Sequence, residues 1–372
     1  MRVVFACGGT GGHIYPALAM ADLVKKQFPN VEILFFGGEN GLEKQLVEKA
    51  GYSIHTIKIE GLTRALSFKN IQAGAHLVQS LFHARKWLID IQPDLVVGTG
   101  GYACYPCLRM AALLRIPTVV HESNAIPGLA VKWLSRYMTR VWLGMEDAKE
   151  ELQCKRNICV TGNPIRSTFS QALYAKANAK QKLGIRQKEF FILSFGGSLG
   201  AQKLHDCMCE LVCNTKDSDI RFCHITGQKQ WQDYKQKKIP KRHLWLSYAD
   251  DMPTLMEAAD LVICRAGAMT LAEISASRKA AILIPSPHVV KNHQYHNAYA
   301  LAKKQAAILL EEQEASAQKL YEVICTLKTH PDKRLSLESN VEKHFYYDTN
   351  KILEEEFRRL LNPHSFHSAT NN

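Results

Sequence analysis

The chain reads as an α/β protein of two tandem doubly wound units, each a parallel sheet covered by helices on both faces. Three observations carry that expectation. Short apolar runs alternate with helix-spaced segments along most of the chain. A glycine-dense turn follows the first apolar run, and a second follows the run at Phe190–Ser194. The length of 372 residues also exceeds the roughly 250–300 at which a single core stops growing.

The first strand is expected at Val3–Ala6, ending in Cys7-Gly8-Gly9-Thr10-Gly11-Gly12-His13. Ala17, Leu18, Ala21 and Val24 then fall at helical spacing, predicting a helix over Pro16–Lys26. Strands follow at Glu32–Phe36, Ile54–Ile59, Leu95–Gly98, Thr118–His121 and Arg140–Leu143, with helical stretches between most of them. Asn-Pro and Gly within Thr161–Arg166 disfavour regular structure, so the seam is expected there, with domains at 1–163 and 164–343. The pattern restarts at Phe190–Ser194, the turn Gly196-Gly197-Ser198-Leu199-Gly200-Ala201 and a helix over Gln202–Val212. Later strands are expected at Arg221–Thr226, Leu244–Ser247, Leu261–Cys264 and Ala281–Pro285. Ile352, Phe357, Leu360 and Leu361 mark a last amphipathic helix over 344–361, and the polar residues 362–372 are expected to be a disordered tail.

Composition excludes several classes. With 46% hydrophobic and 22% charged residues the chain can build a core and is not intrinsically disordered. Its 11 cysteines are odd in number, and Met1–Ala6 runs into the glycine turn without the apolar core of a secretory leader, so reduced thiols in a cytosol are expected. No run approaches the ~18–20 apolar residues of a membrane-spanning helix. A net charge of +12 favours anionic partners. No dense basic run, zinc-finger spacing or aromatic–basic interleaving points to nucleic acid.

Four glycines in the six positions 8–13 let a backbone approach a ligand closely and aim a helix start at negative charge, although a tight strand-to-helix turn would use them equally well. Neither the dinucleotide fingerprint nor the ATP-binding P-loop is matched. The second turn repeats the device and adds the Ser198 hydroxyl. After the strand at Leu261–Cys264, Gly267 precedes a helix on which Thr270 and Glu273 share a face, where a carboxylate suits ribose hydroxyls or merely caps the helix. Residues 285–297 gather His288, His293, Gln294 and His296 after a strand, without a carboxylate or cysteine to complete a metal site. Asp250 and Asp251 are adjacent and form no Asp-x-Asp motif. Cys104 and Cys107 have the spacing of a redox pair without its usual setting, and Cys207, Cys209 and Cys213 read as buried thiols. Between Glu60 and Asp90 lie four basic residues and no acidic one, and Ile71, Val78 and Phe82 fall near helical spacing beside Trp87. That suits either an anionic membrane surface or an ordinary packed helix.

Eight stretches stand in one order: GGTGGH (8–13), VGTGGY (97–102), HESNAIPGLA (121–130), GNPIR (162–166), GGSLGA (196–201), YADDM (248–252), CRAGAMTLAEI (264–274) and NHQYHNA (292–298). In them the sequence resembles the bacterial undecaprenyldiphospho-muramoylpentapeptide N-acetylglucosaminyltransferases over nearly its whole length. The resemblance implies a GT-B fold, two Rossmann-like domains with a cleft between them, and a C-terminal helix packing back on the first. It implies inverting transfer of N-acetylglucosamine from UDP-GlcNAc to the C4 hydroxyl of MurNAc in lipid I, giving lipid II, without a cofactor or essential bound metal. The implied setting is the cytoplasmic side of the bacterial plasma membrane, with the anionic surface and other cell-wall synthesis proteins as partners.

The same resemblance assigns residues. Glu273 would take the ribose hydroxyls and the backbone at Ala249 the uracil. Ser198, Arg166 and Ala268-Met269-Thr270 would meet the diphosphate region, and His293 and Gln294 the sugar. His293 stands where the family often has Gln. Thr10, Gly11, Gly12, His13 and Asn124 would face the donor from the first domain. Tyr102 and Tyr105 would lie toward the acceptor, and Ile71, Val78, Phe82 and Trp87 toward the membrane. An inverting displacement needs a base, and His13, an imidazole with an ordinary range near neutrality, and Glu122 are both candidates. Another UDP-sugar GT-B transferase, a UDP-sugar epimerase or a non-catalytic nucleotide-binding regulator are the remaining readings.

Overall fold

Val3, Phe5 and Cys7 bury against one set of helices while Val4 and Ala6 bury against another, as successive residues of a strand covered on both faces must. The computed structural model describes residues 1–39, 41–59, 68–153, 155–165, 169, 176–197, 201–235, 237 and 239–362. Residues up to Pro164, together with the segment from Asp348, form one compact unit, and Ile165–Tyr347 the other.

In the first unit β1 (Arg2–Ala6), α1 (Gly11–Gln27), β2 (Glu32–Gly38), α2 (Glu43–Lys49), β3 (Ser53–Ile57), α3 (Phe68–Ile91), β4 (Leu95–Gly98), α4 (Cys104–Leu113), β5 (Thr118–Glu122), α5 (Leu129–Leu134), β6 (Arg140–Leu143) and β7 (Ile158–Val160) follow one another. The seven strands lie in the order β3-β2-β1-β4-β5-β6-β7, all parallel. β7, of three residues, and the two-residue strand Ile308–Leu309 of the second unit are both too short to show periodicity in the sequence and are not expected from it. The first helix is expected from Pro16, because proline favours a first turn. The helix begins at Gly11 instead, with the His13 and Ile14 N–H groups donating to Thr10 O (3.0 and 3.2 Å), so His13 belongs to its first turn.

The second unit contains α6 (Lys176–Lys182), β8 (Phe190–Phe195), α7 (Gln202–Asn214), β9 (Ile220–Ile225), α8 (Gln228–Lys235), β10 (Leu244–Leu246), α9 (Met252–Ala258), β11 (Leu261–Cys264), α10 (Ala268–Ala276), β12 (Ala281–Leu283), α11 (His293–Ala302), β13 (Ile308–Leu309), α12 (Ala317–Thr329) and α13 (Pro331–Phe345). Its parallel sheet runs β10-β9-β8-β11-β12-β13. Phe190, Ile192, Leu204, Met208, Ile263 and Leu320 are among its core residues.

The single helix expected over 344–361 is two. α13 ends at Phe345, and the Asp348 side chain accepts from Lys351 N–H (3.4 Å) to cap α14 (Thr349–Leu361). In the first unit, Leu353 and Phe357 of α14 enter the core, where Phe357 meets the Trp142 ring edge-on at 5.0 Å. Beside them the Glu356 carboxylate accepts from Arg140 Nε and Nη2 and from Trp142 Nε1, each at 2.8 Å. Removing that carboxylate strands three donors. Glu356→Ala should therefore destabilise the first unit by about 2–3 kcal/mol, somewhat under the cost for a sealed pair because Arg140 keeps 20% of its side chain exposed. The urea midpoint measures this, and a loss within about 0.5 kcal/mol would place the pair among surface interactions of no consequence.

Candidate active site

In each sheet the chain reverses its direction of winding at one strand pair, β1/β4 in the first unit and β8/β11 in the second. Loops leaving such a pair diverge and open a crevice at the carboxyl ends of the strands. The first glycine turn lies there, as do Gly196 and Gly197, which open the second.

In the first unit the loops after β1 and β4 are drawn together backbone to backbone. Thr99 N–H donates to Ala6 O (3.0 Å). Gly101 has φ +83°, and a Cβ there would overlap the Gly8 carbonyl, so neither conformation nor space admits a side chain. Thr99 Oγ1 donates to His13 O (2.7 Å), and His13 Nδ1 lies 3.0 Å from Thr99 O. A carbonyl can only accept, so Nδ1 carries the proton, and a neutral ring held this way has its basic lone pair on Nε2. Thr10 precedes α1 with no side-chain capping bond, leaving Thr10, Gly11 and Gly12 as a partly exposed, uncapped helix start of the kind that receives anions.

Glu122, the other candidate base, is already engaged by three N–H donors. Its Oε1 accepts from Asn124 N–H (2.9 Å) and Asn124 Nδ2 (3.0 Å), and its Oε2 accepts from Gly128 N–H (2.9 Å). Only 3% exposed, it is the internal brace of loop 123–128 and the group that orients Asn124. The exposed Tyr102 reaches over the glycine turn, since a Cβ on Gly9 would lie 3.8 Å from its hydroxyl. Tyr105 is half-buried and meets Trp133 edge-on at 6.2 Å.

In the second unit α10 starts after Gly267 without a side-chain cap, and Ala268, Met269, Thr270 and Glu273 are all partly exposed. Glu273 stands two residues beyond the first turn, so it does not cap the helix. Asn297 Nδ2 donates to Ala266 O (3.2 Å), fastening α11 to this turn. Gln294 Oε1 accepts from Ser286 N–H (2.9 Å), and His293 Nδ1 donates to Val290 O (2.8 Å). Lys291 and Asn292 both hold left-handed backbone, with φ +53° and +51°, the kind of local strain that concentrates at binding loops. Ala249 is half-buried between β10 and α9, at the sheet edge two strands from β8. Its neighbour Asp251 caps α9 through Thr254 N–H (3.2 Å) and pairs with Lys182 (2.7 Å). Arg166, Ser198 and the side chain of Ile71 lie outside the described residues.

Residues 3–143 match the model of the glycosyltransferase family 28 N-terminal domain, and residues 191–353 that of its C-terminal domain. The chain is similar to the UDP-N-acetylglucosamine–N-acetylmuramyl-(pentapeptide) pyrophosphoryl-undecaprenol N-acetylglucosamine transferase of Acetivibrio thermocellus, at 42% identity over 91% of this chain and 93% of that protein. It is 39% identical to the protein of the same name from Carboxydothermus hydrogenoformans, over 98% and 99%. The crystal structure of Acinetobacter baumannii MurG superposes with a TM-score of 0.78 at 25% identity, covering 96% of this chain and 99% of that one. The chain belongs to this transferase family.

Two residues of this transferase with a part in the site carry no sequence assignment. Arg265 is buried after β11, where Nη1 donates to Ile284 O (3.1 Å) and Pro285 O (3.3 Å) and Nη2 pairs with Glu312, tying the loops after β11, β12 and β13 together. Glu43 accepts from Gly38 N–H and Gly9 N–H beneath the first glycine turn. Two sequence expectations are corrected. Trp87 does not face outward but stacks on His55 at 4.9 Å and packs on Phe36, whereas Val78 and Phe82 are exposed. Cys213 is exposed, while Cys207 and Cys209 are buried. Cys104 and Cys107 are buried free thiols, and burial pushes Cys104 up to about 12, away from the thiolate that redox chemistry needs.

Buried imidazoles adjoin both crevices. His121 precedes Glu122, and His205 Nδ1 lies 2.8 Å from His224 Nε2 below the second turn, so a single proton joins the two rings. Burial pushes His121 and His205 down to about 4, and His224 well below its ordinary range. Each is neutral when folded and binds a proton more readily once unfolded. Stability is therefore complete above about pH 6.5 and lost as pH falls toward 4, by up to about 1.4 kcal/mol per pH unit for a fully desolvated ring such as His121. Urea midpoints at pH 7, 5.5 and 4.5 should fall progressively, and a flat series would contradict neutral burial.

Proposed function

We propose that this chain transfers N-acetylglucosamine from UDP-GlcNAc to the C4 hydroxyl of the MurNAc unit of lipid I, forming lipid II with inversion. The names of relatives about 40% identical over most of the chain supply the reaction. The observation that carries the chemistry is the His13 ring, held through Nδ1 by the Thr99 carbonyl at a partly exposed helix start. In this reading Nε2 takes the acceptor proton as the C4 oxygen bonds to the anomeric carbon. The bond from that carbon to the UDP oxygen breaks, and the electron pair leaves with UDP. Departing charge is relieved by the uncapped start of α10 and by Arg166, with no resident metal ion. Glu273, Thr270 and Gln294 hold ribose, phosphate and sugar, and Asn124, braced by Glu122, meets the donor from the first unit.

The test is transfer from radiolabelled UDP-GlcNAc to a lipid I analogue, with and without EDTA. Transfer should survive EDTA. His13→Ala should lower kcat by about 10²- to 10⁴-fold while UDP affinity holds. Glu273→Ala should weaken UDP binding about tenfold or more, the value of a lost charge-assisted bond pair. Absence of transfer while an authentic member of the family works in parallel would sink the reading, and full turnover by His13→Ala would remove His13 from it.

The reading includes a peripheral seat on the cytoplasmic face of the membrane. Supporting it, Val78, Phe82 and Ile89 of α3 are exposed on one helix face with Arg85 beside them, and among the described residues no helix is long and apolar enough to cross a bilayer. Co-sedimentation should be stronger with phosphatidylglycerol vesicles than with neutral ones, by about 1 kcal/mol per basic residue at the surface, and weaker for Phe82→Glu. Equal binding to both vesicle types, or by both proteins, would remove this seat.

A further inference from the structure

We propose that Glu43 is a positioning residue for the reaction, setting the first glycine turn, and through it His13, in working geometry. This rests on the reading of His13 as the group that takes the acceptor proton. Glu43 is the first residue of α2 and only 2% exposed. Its two oxygens are divided between two loops, Oε1 accepting from Gly38 N–H at the end of β2 (2.9 Å) and Oε2 from Gly9 N–H in the turn after β1 (3.2 Å). Gly9 sits at φ +87°, so its N–H direction is a property of the turn and not of a regular element.

The chain makes unusual room for this carboxylate. A Cβ on Gly8 would lie 2.9 Å from Oε1, one on Gly38 3.0 Å from Oε1, one on Gly37 2.8 Å from Cγ, and one on Gly41 would overlap the carboxylate itself. Four glycines thus surround one buried acid whose hydrogen bonds go to backbone. The group is also close enough to add to burial in pushing the Cys7 thiol up. A buried carboxylate is costly unless its acceptor sites are filled, so the arrangement exists only with both loops in place. From Gly9 the path to the ring is short. Thr10 O accepts the N–H groups of His13 and Ile14, and His13 is then clamped to Thr99.

Glutamine separates this role from bulk packing. It matches the shape, but its one oxygen can satisfy only one of the two N–H groups, and its NH2 meets the other donor against donor. Glu43→Gln in the full chain should lower kcat by about 10²-fold, the order reached when a catalytic group is misplaced by about 1 Å. UDP affinity by calorimetry should stay unchanged, the pH profile of kcat should shift, and Gly9 amide exchange should quicken. Glu43→Asp should recover part of the rate, and Glu48→Gln, on the exposed face of the same helix, should match wild type. Wild-type kcat and pH profile in Glu43→Gln, or a parallel loss of UDP affinity and folded fraction, would overturn the proposal. Should the wild-type chain transfer nothing, the His13 titration and Gly9 exchange followed by NMR still decide: both displaced by Glu43→Gln supports the linkage, and both unchanged ends it.

Discussion

Thr99 and His13 exchange two hydrogen bonds, hydroxyl to carbonyl and ring to carbonyl, across 86 residues of chain. The exchange fixes more than one side chain. It can form only if the backbones after β1 and β4 touch, which requires a residue without a Cβ at Gly101, and if α1 begins early enough to carry His13 in its first turn. Both conditions depend on β1 and β4 being neighbours, with Ala6 and Gly98 paired at the end of their ladder. The site in the first unit is therefore a consequence of strand order.

That strand order is sustained by burial on both faces. β1 gives Val3 and Phe5 to the side covered by α1 and α14, and Val4 and Ala6 to the side covered by α3, α4 and α5. Losing α14 would remove Phe357 and Leu353, uncover the faces of Trp142 and Phe5 against which Phe357 packs, and leave Arg140 without the Glu356 carboxylate. A segment more than 180 residues beyond the seam thus completes the hydrophobic layer on which α1 rests. The helix that presents His13 and the helix that closes the chain share one core.

Much of this was legible because it is local. Each glycine turn follows a strand with a run of apolar residues, and strand, turn and helix lie within 26 residues. What escaped is long-range or defined by partners. Glu122 is a base candidate because a carboxylate in a motif has the right chemistry, and its three N–H donors, which brace a loop, show only in the structure. Trp87 reads as outward-facing by position, yet the face it occupies is decided by His55 and Phe36 on neighbouring strands. Glu43 had a visible signal, since Gly37, Gly38 and Gly41 precede it, but its meaning lies in a bond to Gly9, 34 residues away. Arg166 and Ser198 rest on resemblance alone.

The contrast between the two base candidates follows from what each would give up. For Glu122 to reach a substrate hydroxyl it would have to release Asn124 and Gly128, giving up the three hydrogen bonds that brace the loop carrying Asn124. The His13 ring can keep its bond to Thr99 throughout. As Nε2 gains a proton the ring becomes positive, and the Nδ1–H bond to the Thr99 carbonyl becomes charge-assisted and stronger. The same bond prevents the ring from turning to present the wrong nitrogen. A group whose restraint tightens as the reaction proceeds stabilises the transition state more than the ground state, which is the condition for raising kcat. On the proposed reading that condition falls to the imidazole on the early turn of α1, and the carboxylate two strands away keeps its loop in place.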